Sequence, residues 1–203
     1  MQTISEMLTG ASFVDVLVGL DRELCSEVKA RGCPHCGDRL HVANYARKPR
    51  SGPLSMSAAQ ARRLSLCCRR EGCRARALPP SARFLGRRVY LSVMVVLGSV
   101  LRQGPTPFRV KQLSETLGAD RRTLERWRKW WTESIGGSRA FEIGRADFMP
   151  PPLGSELPIS LLDSFVGGAR ERMLSALRFL LEHFGARFPM DGASEVLHAE
   201  LAV

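Results

Sequence analysis

Two cysteine pairs separated by 31 residues constrain this chain more than any other feature: Cys33 and Cys36 in CPHCG, and Cys68 and Cys73 in CCRREGCR. A Cys-x2-Cys turn aims two thiolates at one ion, and a second pair completes a tetrahedral set. Pro34 and Gly37 suit the first pair to a tight knuckle, and the second pair has the looser spacing Cys-x4-Cys, with Gly72 just before its last ligand. The spacing predicts a zinc ribbon built of short β-hairpins, with Cys33, Cys36, Cys68 and Cys73 as ligands of one Zn2+.

Leu64, Leu66 and Cys68 alternate, so in a strand they share one face and Cys67 turns to the other. Cys68 is therefore read as the ligand, with Cys67 the alternative that stays open. Cys25, alone on a helix-like segment, is read as packing. Four thiolates close a site, which leaves His35 and His41 as non-ligands. A disulfide framework is the competing explanation. It fits poorly with an N-terminus that carries Glu6 and Asp15 where a secretory signal would be basic.

The net charge of +10 is unevenly spread. From Arg31 to Trp131 there are 22 Lys or Arg against 5 Asp or Glu, a net of +17, while the remainder carries −7. Such a basic middle is the footprint of a polyanion partner. Arginine supplies 26 of the 30 basic residues, and its planar fork suits phosphate and guanine. The apolar run from Val89 to Leu101 is too short to span a membrane, so a cytoplasmic protein with reduced thiols is expected.

The chain divides into five stretches. Residues 1–30 hold an amphipathic helix with Phe13, Leu17, Leu20, Leu24 and Val28 at helical spacing, placed to pack on the ribbon. The ribbon spans 31–86, with a local hairpin arm at 37–47 and an exposed loop from Lys48 to Ala61. A mostly helical unit over 87–135 opens with a helix from Val89 to Gln103. Residues 136–158 read as a proline-rich linker, and 159–203 as a C-terminal helical segment with a loose tail. The expected class is α+β: the ribbon, then a helix-turn-helix domain, then a C-terminal helix.

The helix-turn-helix lies in VKQLSETLGADRRTLERWRKWW. Leu113 and Leu117 make one apolar stripe, Gly118 permits a tight turn, and Asp120 caps the next helix. Leu124 and Trp127 face back to the first helix, leaving Arg121, Arg122, Glu125, Arg126 and Lys129 outward for the major groove. Trp130 and Trp131 are read as packing ahead of backbone contact. Arg69 and Arg74, beside the second cysteine pair, are expected to anchor phosphates. In the C-terminal helix Leu174, Leu177, Leu180, Leu181 and Phe184 make an apolar face. Isolated beyond a linker, that face predicts a homodimer; folding back onto Val89 to Gln103 is the alternative.

The CPHCG knuckle, the second cysteine pair with its arginines, and TLERWRKWW together resemble the DNA-binding front end of bacterial insertion-sequence transposases and their accessory proteins. The resemblance covers Cys33 to Trp131 and implies zinc at the four cysteines and double-stranded DNA at Arg121 to Lys129. Only 72 residues follow Trp131, and Glu133, Glu142, Asp147 and Asp163 do not form a recognisable two-metal carboxylate set. The expectation is a non-catalytic factor that brings a separate transposase or recombinase to element ends or represses the element. A chromosomal regulator, a zinc-stapled subunit binding RNA or protein, and a transposase fragment are the alternatives.

Overall fold

The computed structural model describes residues 11–47, 57–84, 111, 115 and 120–184. The fold is mixed, with helices and small antiparallel strands.

Helix α1 (Ala11–Arg31) forms because its apolar residues recur each turn, burying Phe13, Val14 and Leu17 in its first half. Lys29 and Arg31 complement the negative end of the helix dipole. Gly32 then ends the helix at φ +80°, where any side chain would sit 2.8 Å from the Gly37 carbonyl oxygen.

Strands β1 (Leu40–Val42), β2 (Tyr45–Ala46), β3 (Arg62–Arg63), β4 (Leu66–Cys68) and β5 (Arg76–Ala77) make a small β unit. β1, β4 and β5 form one antiparallel sheet in that order, and β2 pairs with β3 in another. Residues 37–47 are thus no local hairpin. Leu40 pairs with Cys68 and Tyr45 with Arg63, long-range pairings that carry both cysteine turns to one end of the sheet. Leu40, Leu66, Cys68 and Ala77 line the inner face, where Cys25 and Val28 of α1 pack against them.

The second core is helical. It assembles from α2 (Arg121–Lys129), a π-helical turn over Trp130–Ile135, α3 (Arg139–Arg145), α4 (Ile159–Asp163) and α5 (Ala169–Phe184). Trp127, Trp130 and Trp131 are all at most 1% exposed, so all three are packing residues. Each buries on the order of 200 Å², or about 5 kcal/mol of transfer free energy at about 25 cal/mol per Å². Phe13 and Leu17 of α1, with Ala82 and Phe84, belong to this core too.

Two expectations are corrected here. Residues 136–158 are not a free spacer: Ser138 caps α3 by accepting the Phe141 N–H at 3.2 Å, and Phe141 and Leu157 are core. The face of α5 is not isolated either. Leu177, Leu180 and Phe184 are buried, Leu174 and Leu181 pack against the same core, and α5 lies on α3 and α4. The cover comes from the stretch read as linker, so the apolar face needs no second copy of the chain.

Val89 to Gln103, Leu113, Leu117, Gly118 and the tail from 185 lie outside the described residues. Among the described residues, no helix is long and apolar enough to cross a membrane.

Candidate metal centre and cationic helix

The two cysteine turns are built alike. In the first, the Gly37 N–H donates to the Cys33 carbonyl at 2.8 Å, and Gly37 takes φ +72°. In the second, the N–H groups of Cys73 and Arg74 both donate to the Arg70 carbonyl at 3.2 Å. Arg74 occupies the position after the last cysteine, as Gly37 does, and has φ +44°. A non-glycine residue there is strained and persists only where its surroundings fix it.

These turns bring the sulfurs of Cys33, Cys36, Cys68 and Cys73 within 4.8 Å of one another. Cys36 Sγ lies 3.4 Å from Cys68 Sγ, and Cys33 Sγ lies 3.8 Å from Cys73 Sγ. All are free thiols. Zinc–sulfur bonds of about 2.3 Å in a tetrahedron set neighbouring sulfurs about 3.8 Å apart. The spacing therefore fits a soft tetrahedral cation, whereas a disulfide requires about 2.05 Å.

The thiols differ in acidity. A hydrogen bond from the His35 backbone, with others from Cys36, holds Cys33 down at about 7, against the cost of burial. Burial pushes Cys68 up to about 12. A bound cation would favour the thiolate at every position.

Cys67 points away from the cluster, its thiol 3.4 Å from the Arg74 carbonyl oxygen. Cys25 packs in the β-unit core, where burial raises its thiol pKa. His35 and His41 are exposed and outside the cluster.

The outward face of α2 carries Arg121, Arg122, Glu125, Arg126, Arg128 and Lys129, all exposed. Asp120 caps it by accepting the Thr123 N–H at 2.7 Å, which holds its carboxyl below the usual carboxylate range. Thr123, Leu124 and Trp127 back the helix against the core. Arg121 pairs with Glu125 at 2.8 Å, Lys129 with Glu133 at 3.6 Å, and Arg126 donates to the Thr123 hydroxyl at 2.9 Å. Arg122 lies near the Asp120 carboxylate, whose charge it favours, and neither Arg122 nor Arg128 makes a side-chain hydrogen bond or ion pair among the described residues. The spacing of Leu124 and Trp127 already implied that Arg128 faces outward, although the expected DNA-reading set omits it. In the stretch before α2, Lys111 and Glu115 are helical and exposed.

Sequence reasoning also missed the buried ion pair between Asp21 and Arg83. Asp21 is 0% exposed and accepts from the Ser81 hydroxyl at 2.6 Å, the Ala82 N–H at 2.6 Å and Arg83 Nε at 2.8 Å. Arg83 also donates to the Gln60 and Arg62 carbonyls. Arg63 is buried as well, donating to the carbonyls of Leu64 and Pro79. Two arginines of the basic middle are therefore structural. The available signal was Asp21 itself, an acid four residues after Leu17 on the apolar stripe of α1.

No protein-family model, curated protein or solved structure matches the chain.

Proposed function

We propose that the chain is a non-catalytic DNA-binding protein in which a zinc ribbon and a helix-turn-helix share one frame. In this reading Cys33, Cys36, Cys68 and Cys73 hold Zn2+, which acts as a structural cross-link between the two turns. The second helix of the motif is α2, and it reads base edges in the major groove of duplex DNA. One observation carries the reading: a capped helix, anchored by Leu124 and Trp127, turns an arginine-rich and otherwise uncovered face outward. Arg122 and Arg126 stand one turn apart on that face. Neither forms an ion pair with a carboxylate at contact distance among the described residues, and an exposed guanidinium suits bidentate contact with guanine.

With its resemblance to the front ends of mobile-element transposases, the biological role proposed is an accessory factor or repressor of such an element in the cytoplasm. Selection of bound fragments from a random duplex library tests the reading. A defined winning sequence is expected, and Arg122→Ala or Arg126→Ala should weaken it by about 1–3 kcal/mol and relax the preference. Binding without any sequence preference would overturn the role given to α2.

A further inference from the structure

The outer face of the β1–β4–β5 sheet carries a second cationic surface. Register places His41, Cys67 and Arg76 side by side across the three strands. Next to that row stand Arg39, whose carbonyl accepts the Arg69 N–H at 3.0 Å, and Arg69, with Arg74 beside them at the end of the second cysteine turn. Arg39, Arg69, Arg74 and Arg76 are all exposed. None of the four has a side-chain hydrogen bond or ion pair among the described residues. The nearby acids are few: Asp38, which accepts the Arg39 N–H at 2.6 Å, and Glu71 at the tip of the second turn. Four unneutralised guanidinium groups on one short sheet repel each other, an arrangement that an external polyanion relieves.

We propose that this face is a docking surface for the phosphate backbone of duplex DNA, separate from α2. The proposal rests on the DNA-binding reading above and adds a second point of attachment to it. Strand spacing sets the backbones of Arg39 and Arg69 about 5 Å apart, within reach of neighbouring phosphates on one strand. Among the described residues the face presents one exposed ring, the imidazole of His41, and no larger stacking platform. The ring of Tyr45 lies under the Arg76 guanidinium at 5.8 Å, and no Phe, Tyr or Trp side chain is exposed among the described residues. Single-stranded binders interleave cations with exposed aromatic rings, so a duplex is the better match. Flat, forked and sequence-blind contacts position a protein without reading bases.

The test compares the full zinc-loaded chain with Arg39→Ala/Arg76→Ala, using a random-sequence duplex, the selected duplex and a single-stranded RNA of equal length. The salt dependence of duplex binding should fall by about 1.8 in log–log slope, at about 0.9 for each phosphate no longer neutralised. Affinity should drop on both duplexes alike, with their ratio unchanged. Because Arg76 covers Tyr45, Arg39→Ala/Arg69→Ala serves as a second variant, and unchanged thermal unfolding certifies each. An unchanged slope in folded variants overturns this surface and leaves α2 standing. A reduced slope in a protein that prefers no sequence supports the surface and overturns the role of α2. Binding confined to the RNA overturns the duplex assignment.

Discussion

Asp21→Ala should be among the most damaging single substitutions in this protein. It deletes three short hydrogen bonds and leaves the Arg83 guanidinium, 1% exposed, without its carboxylate. Breaking a buried pair in this way costs about 3–5 kcal/mol, chiefly because the surviving charge stays buried. For a chain of this size, about 2–4 °C per kcal/mol puts the fall in melting temperature at roughly 6–20 °C. Thermal unfolding with the metal site saturated measures it, followed by tryptophan fluorescence for the helical core and metal–thiolate absorbance for the cysteines. All three tryptophans lie in the helical core, so the two signals report different ends of α1. Asp21→Ala/Arg83→Met should recover much of the loss, since no charge is then stranded. A single-mutant loss under about 1 kcal/mol, or strict additivity in the double mutant, would refute the assignment of Asp21 as the essential partner of Arg83.

Purified protein should contain one zinc per chain by metal analysis. Cys36→Ser or Cys73→Ser should lose it and Cys67→Ser should keep it, and a chelator should unfold the β unit. Gly144→Ala should destabilise by about 1–3 kcal/mol in denaturant titration, because a Cβ there would stand 2.8 Å from the Phe179 and His183 rings. The Asp120 cap should be pH-dependent. Since its folded pKa is depressed, its contribution is complete above the unfolded carboxylate pKa and is lost as pH falls through the folded value. Circular dichroism should therefore show helix loss on acidification, and Asp120→Asn should remove that component.

The parts of this fold visible in the sequence are those specified by neighbours. The stripe from Phe13 to Val28 predicts α1, and the alternation around Cys68 predicts which cysteine faces inward. Asp120 announces the start of α2 because a cap acts over three residues. Pairing of β1 with β4 was not legible, since strands of two or three residues carry too little pattern to choose a distant partner. The stretch after Gly136 misled because glycines and a run of prolines interrupt it, and Phe141 by itself gives no periodic signal for the helix it anchors. Composition likewise counted Arg63 and Arg83 as surface charge. Only their neighbours in space, Asp21 and a set of backbone carbonyls, reveal that they are internal.

Motif boundaries would suggest Gly32 as a place to begin a shortened version of this protein, just ahead of the cysteines. Helix α1 makes that choice a poor one. Its first half contributes Phe13 and Leu17 to the helical core, and its second half sets Cys25 and Val28 against the sheet. Deleting it would open two unrelated apolar surfaces to water at once and strand Arg83 between them. A fragment starting at Gly32 should therefore aggregate or bind metal without becoming stable. A failure of that fragment to bind DNA would leave the proposed DNA-binding surfaces untested.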